Sequence, residues 1–332
     1  MSLSQQTLRG SIIGTAALIG FCVSSAVQAQ SMVQAQDIAA LQKAHPTWVQ
    51  VPGQLIRPDC VHELPKGSRV EVVGDQITGD ITMGGRVIAH YNACPEPGIS
   101  TRNRSNAAAP ATIAPGVGNG WVEAVLDDVS LGSSDNLDWV SGTWKVPAAP
   151  AATGGLIYLF NGMEPSTQNW ILQPVLQFGN NGYFGGNYWV IASWLVGPNN
   201  YAFYSPAETV HTGDTIYGTT YMTSDSAGKL GWEVFAQDET SGVYTWITAS
   251  TTGLHWTWGY AAVLEAYRIS SCSQFPNSDP NIFTSNYVYH DYPSYLAVPD
   301  SSFSGWVSSS WTGPSCGFGA LEYASNAYLY YY

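Results

Sequence analysis

The chain has 332 residues, a formal net charge of -13, and only 11% charged side chains against 13% aromatic ones. No basic stripe interrupts that acidity, which excludes a nucleic-acid partner. The six histidines, His45, His62, His90, His211, His255 and His290, have no metal-ligand spacing, so no zinc site and no cofactor is expected. There is also no Gly-x-Ser-x-Gly elbow.

At the N-terminus Arg9 precedes an apolar run from Ile12 to Val23, and Val27-Gln28-Ala29 supplies small residues for cleavage. Residues 1–29 are therefore expected to be a signal peptide, and the protein to be secreted, extracellular or periplasmic. The run is too short to cross a bilayer and no later segment reaches ~18 apolar residues, so no stable membrane association is expected. Removing the signal takes away Cys22 and leaves Cys60, Cys94, Cys272 and Cys316, an even set suited to an oxidising compartment. Of the three pairings, Cys60 with Cys94 and Cys272 with Cys316 keeps each bond within one of the units described next.

Residues 37–45 carry Ile38, Leu41 and Ala44 at helical spacing, and short strands follow at 70–73 and 87–91. Periodicity is lost between 103 and 120, in a stretch of Ala, Pro, Asn and Gly. The expected division is an N-terminal unit over 30–105, a linker over 106–118 and a β domain over 119–332. Residues 30–105 hold seven basic and seven acidic side chains, whereas 106–332 hold three and 17. A neutral unit rich in Arg and Lys ahead of an acidic domain suggests a propeptide held by charge.

Beyond Gly120, strands are expected at 121–126, 137–146, 156–160, 170–178, 188–196, 201–204, 215–222, 230–237, 245–249 and 260–269, with an aromatic tail after them. That spacing, without a helical stretch, predicts an all-β antiparallel sandwich preceded by a small mixed unit. The strands 156–160 and 170–178 are joined by a polar turn beginning Asn161-Gly162-Met163-Glu164-Pro165. Alternation puts Ile171, Gln173, Val175 and Gln177 on one face, and Leu172, Leu176 and Phe178 on the other. Two amides on one face mean that it is either solvated, the commoner arrangement, or the lining of a cleft. Pro174 cannot donate to a ladder and points to an edge or bulge. Glu265 shares its face with Val263, Tyr267 and Ile269, either poised for proton transfer or paired with Arg268 or a hydroxyl.

Several segments in order resemble the eqolisin glutamic peptidases. They are Asn119-Gly120-Trp121, Val140-Ser141-Gly142-Thr143-Trp144-Lys145-Val146-Pro147, Phe160-Asn161-Gly162-Met163-Glu164, Ile171-Leu172-Gln173 and Leu264-Glu265-Ala266-Tyr267. The resemblance spans about residues 119–270 and implies a concanavalin A-like jelly roll. It also implies an acid-acting endopeptidase on polypeptide substrates, and a monomer is expected. Glu265 would be general base and acid, and Gln173 would stabilise the oxyanion. Phe160, Glu164, Gln177, Ile191 and Trp194 would line the substrate cleft, with Glu164 at its rim. Ser193 and Ala266 depart from the family pattern, standing where it tends to carry an acid and a tryptophan. Another class fits the same residues: a carbohydrate-binding sandwich, or a glycoside hydrolase pairing Glu164 with Glu265.

Overall fold

Residues 38–331 are described by a computed structural model, apart from 74–75, 93, 97, 101–119, 129–130, 132–134, 198–200, 227, 278–279, 291–302, 309–310 and 312. The expected signal peptide (1–29) and linker (106–118) lie outside the described residues. The N-terminal segment contains the helix α1 (Ile38–Ala44) and strands β1 (Val49–Val51), β2 (Gln54–Ile56), β3 (Val61–Glu63), β4 (Arg69–Val73), β5 (Gln76–Met83), β6 (Arg86–His90) and β7 (Ile99–Ser100). Pro52-Gly53 connects β1 to β2, with Gly53 at φ 78, a conformation that suits glycine.

The remaining chain gives β8 (Gly120–Asp128), β9 (Leu137–Lys145), β10 (Leu156–Pro165), β11 (Ile171–Phe178), β12 (Trp189–Val196), β13 (Ala202–Tyr204), β14 (Glu208–Val210) and β15 (Thr215–Ser226). After these come β16 (Lys229–Asp238), β17 (Tyr244–Thr252), β18 (Trp256–Tyr267), β19 (Asn281–His290), β20 (Ser304–Val307), β21 (Gly319–Tyr323) and β22 (Asn326–Tyr330). The first large sheet runs β20-β8-β18-β10-β11-β12-β13-β3, with β14 also on β12. The second runs β21-β22-β19-β9-β15-β16-β17-β4-β5-β6, and β1-β2-β7 form a small third sheet.

The two large sheets pack face to face, so the expected all-β sandwich is what forms. Ile157, Leu159, Leu176 and Leu264 of the first meet Trp144, Ile216, Ala236 and Phe283 of the second in one core cluster. Burial of each such side chain contributes about 1.5–3 kcal/mol, which is the main force closing the sandwich. Polar ties cross the layer too: Asn161 Nδ2 donates to the Gly218 carbonyl at 2.8 Å, and Ser193 Oγ to that of Thr245 at 3.3 Å.

Three expectations need correction. The residues expected to turn, 161–165, instead continue β10 as buried strand, because Asn161 and Met163 find partners in the facing sheet. Pro174 is in an interior strand between β10 and β12, not at an edge. It pairs with Ser193, whereas the β10 ladder steps from Phe160↔Val175 to Met163↔Leu172 without it. A missing N–H is tolerated where the ladder is already interrupted. Third, the N-terminal segment does not pack as a separate domain, since residues 35–332 form one unit. Strand β3 pairs in parallel with β13, and β4 in parallel with β17, so the segment adds strands to both large sheets.

Candidate functional site

The site face is the side of the first sheet turned away from the second. Register defines it: Tyr158 of β10 pairs with Glu265 of β18 on one side and Gln177 of β11 on the other, so these three share a rung and a face. Phe160, Val263, Val175, Ile171 and Trp194 join the cluster on that face. By alternation from Val175, Gln173 is there as well, at the level of Gly162. A Cβ on Gly162 would lie 2.5 Å from the Leu172 carbonyl oxygen and 3.2 Å from the Gln173 Cβ, so glycine is what lets the two strands close up beside Gln173.

This face is not solvated. The β1–β2 hairpin covers it, burying Val51 and Ile56 against Tyr158, Phe160 and Trp194, and Gln173 and Glu265 are both fully buried. Three hydrogen bonds fasten it: the Gly53 N–H donates to Glu265 Oε1 at 2.6 Å, Tyr158 OH to the Gln50 carbonyl at 2.8 Å, and Gln54 Nε2 to the Gly197 carbonyl at 2.5 Å. Within the hairpin, Gln50 Nε2 donates to the Gln54 carbonyl at 2.8 Å. Glu265 Oε1 also accepts from the Tyr267 hydroxyl, a hydroxyl partner of the kind expected. Burial, and then the Glu265 carboxylate beside it, push the Tyr158 phenol well above its usual value, so it remains a donor.

The Gln173 amide is the unusual group. Neither its nitrogen nor its oxygen has a hydrogen-bond partner among the described residues. An unsatisfied buried amide costs on the order of 1–3 kcal/mol, and among the described buried amides Gln173 is the one whose two polar atoms are both buried without a partner. Gln177 is different, since its Nε2 donates to the Gly179 and Phe184 carbonyls at 2.8 and 3.2 Å while Asn181 Nδ2 donates to its Oε1 at 3.1 Å. That side chain shapes the 179–184 loop.

No family model and no curated protein sequence matches the chain. Among solved structures, scytalido-glutamic peptidase with a transition state analog inhibitor is similar over 64% of this chain and 98% of its own, at 16% identity and a TM-score of 0.41. SCP-B, a member of the eqolisin family of peptidases in a complex with the tripeptide Ala-Ile-His, is similar over 65% and 98%, at 16% identity and a TM-score of 0.39. At that level the likeness is loose, and no residue role passes across it.

The residues expected to line the cleft divide. Phe160, Gln177 and Trp194 are on the site face. Ile191 is on the opposite side, in the core between the sheets, and Ser193 points the same way, toward Thr245. Strand β12 is buried along its whole length, so burial alone did not reveal which parity faced the cleft. Glu164 is on the site face but is fully buried, not at a rim, and accepts from Tyr260 OH at 2.9 Å. It pairs with Trp258, six residues along β10 from the Glu265 rung, roughly 20 Å at about 3.3 Å per residue. That exceeds the roughly 5–9.5 Å spacing of glycosidase carboxylates and removes the Glu164/Glu265 hydrolase reading. Gln173 and Glu265 share a face but not a rung, with Gln173 four residues further along β10 than the Tyr158 level.

Sequence reasoning missed Tyr158, although its parity with Phe160 was a usable signal. It also missed the hairpin, whose signal was Pro52-Gly53 between Val51 and Gln54. Cysteine pairing is as expected: Cys60 lies against Cys94 and Cys272 against Cys316, with Cα–Cα distances of 5.8 and 5.5 Å. Of the basic residues expected to form a charge latch, Arg102 and Arg104 lie outside the described residues. Among the described residues the ion pair joining the N-terminal segment to the later chain is Lys229–Glu71 at 2.7 Å, with the cation on the acidic side.

Proposed function

We propose that the chain is a secreted glutamic-type endopeptidase whose N-terminal segment is an inhibitory propeptide seated in the site. The observation that carries this reading is the Gly53 N–H on the Glu265 carboxylate: a peptide group of the chain itself lies where, on this reading, a substrate peptide would bind. Gly53 and Gln54 bridge from Glu265 to Gly197. Gly197 follows β12 beyond the Ile171↔Val196 rung, so Gln173 lies between the two ends of that bridge by register. An extended peptide laid along the same line would meet the carboxylate and then the unpartnered amide.

With the hairpin gone, Glu265 takes a proton from water as the water attacks the peptide carbonyl. Gln173 lies four residues along the face from the Glu265 rung, roughly 13 Å at about 3.3 Å per residue. Its N–H therefore donates to the oxygen that becomes negative only as the two long side chains converge on the bound peptide, and Glu265 returns the proton to the leaving amine. In the hairpin-covered form the Gly53 N–H holds the carboxylate. Digestion of an unfolded protein by the processed chain at acid pH tests the reading. Loss of digestion in Glu265→Gln is expected; a Glu265→Gln protein that digests like the parent ends it. Full activity at acid pH in a chain that retains residues 38–100 would end the propeptide part alone.

A further inference from the structure

A second concave site opens on the outer face of the other sheet, away from Glu265. It has a volume of about 270 Å3, a floor of Ser141 and Thr143, and walls of Trp139, Tyr217, Tyr287 and Tyr289. Alternation on β9 sends Val140 and Trp144 into the core, and so turns 139, 141 and 143 outward. On β19 the same result depends on a bulge. Phe283 points into the core, so strict alternation would send Tyr287 inward too. Instead Thr284 pairs with Thr143 and Tyr287 with Ser141, so that Ser285 and Asn286 on one strand lie opposite Gly142 alone on the other. Ser285, at φ 54 and itself part of the pocket lining, absorbs the extra residue. Beyond it the parity is inverted: Val288 enters the core, and Tyr287 and Tyr289 face the pocket. Asn286 turns inward and donates to the Phe283 and Ser325 carbonyls at 2.9 and 3.0 Å, taking the place a Cβ on Gly142 would obstruct.

We infer that this pocket binds a neutral polysaccharide. The Tyr287 and Tyr289 rings lie 15° from parallel with centroids 5.9 Å apart, and on the neighbouring β22 the Tyr328 and Tyr330 rings are 17° from parallel. Their negative π faces suit the C–H face of a pyranose ring. Hydroxyls supply the polar half. Among the described residues the side-chain hydroxyls of Ser141, which is 4% exposed, Thr143, Tyr217, Tyr287 and Tyr289 have no hydrogen-bond partner, although the Thr143 carbonyl accepts from the Thr284 hydroxyl. Charge selects the class of ligand: in a chain of net charge -13, no acidic or basic side chain lines this pocket. The nearby Glu233 is taken up by the Tyr221 hydroxyl at 2.7 Å. A nucleic acid or an anionic polymer would find no cation in the lining, the next outward residue of β9, Lys145, being engaged by the Thr215 hydroxyl, and an apolar protein segment would leave the hydroxyls unsatisfied. The volume suits one or two sugar rings, with the rest of the polymer running across the open tyrosines.

Depletion of the full chain from solution by suspended cellulose, chitin and curdlan, with affinity electrophoresis in soluble xylan and galactomannan, tests this. Retention by at least one neutral polymer is expected, unchanged in high salt, and weakened about tenfold or more in Tyr287→Ala/Tyr289→Ala. Tyr287 is exposed, so Tyr287→Ala alone provides a variant that keeps its fold, checked by circular dichroism, and it should also weaken retention. Failure of all five polymers to retain the chain overturns the inference. So does wild-type retention by the folded variants, or salt-sensitive preference for alginate. None of these outcomes bears on peptide hydrolysis, because the two faces lie on opposite sides of the sandwich.

Discussion

The two outer faces of the sandwich are built from the same two-residue alternation and end in opposite states. On the first sheet the outer face carries Glu265, Gln173, Gln177 and Tyr158, and the chain's own β1–β2 hairpin seals it. On the second sheet the outer face carries Trp139, Tyr217, Tyr287 and Tyr289 and is open, with Tyr287 43% exposed. The sealed face contains a carboxyl group and the unsatisfied Gln173 amide, which are costly to bury. The open face contains neutral, half-polar groups that can remain in water. On the propeptide reading proposed above, the cover over the costly face is the part that leaves, and the open face is unaffected by its departure.

That contrast can be broken most forcefully at Glu265. In the processed chain, Glu265→Gln should lower peptide hydrolysis by about 10²–10⁴-fold, and Gln173→Ala by about 10²–10³-fold. Turnover of a fluorogenic peptide measures both. Gln177→Ala should act instead by loosening the 179–184 loop, with a change in KM larger than that in kcat.

The cover itself is tested by Gly53→Pro. Proline has no N–H to give Glu265 and cannot adopt the φ of 78 found there. Hydrolysis by the unprocessed chain should therefore rise above that of the parent, read in the same assay before any cleavage. An unprocessed variant that remains as inactive as the parent would show that this contact does not hold the site shut.

A smaller effect is expected at Gly162. Its alanine variant places a Cβ 2.5 Å from the Leu172 carbonyl oxygen, and overpacking of this kind costs about 1–3 kcal/mol. Thermal unfolding should show the loss, and hydrolysis should fall with it because Gln173 is the neighbour that must move.

Acid should loosen the cover from its β3 end. His62 lies on that strand, stacked on Tyr91 with centroids 3.7 Å apart, and packs near Tyr201 and Phe203. Burial lowers it from 6.5 to about 4, against a smaller upward pull from Asp59. The native state therefore binds a proton less readily than the released segment. The stability of this joint is complete above pH 6.5 and falls as the pH drops from 6.5 toward 4. Limited proteolysis of residues 38–100 should accelerate through that window, and His62→Gln should flatten the response. Smallest of all should be the effect of Tyr287→Ala on hydrolysis, because its ring is on the other face.

Much was legible in the sequence because period and composition act locally. The all-β class, the short helix over Ile38–Ala44 and most strand positions follow from alternation and turn residues. So does the parity that put Ile171, Gln173, Val175 and Gln177 together. What parity cannot say is which face meets what. Strands β10, β11 and β12 are buried on both sides, so their hydrophobicity does not alternate. Only the packed sheets put Ile191 and Ser193 toward the core and Trp194 toward the site. The bulge at Ser285, which turned Tyr287 outward, is set by pairing across β9 and the inward turn of Asn286. The cover was the least legible feature of all. Gly53 and Glu265 are 212 residues apart, and no local pattern shows that a Pro-Gly turn will come to rest on a carboxylate that distant, since the contact exists only once both sheets have closed.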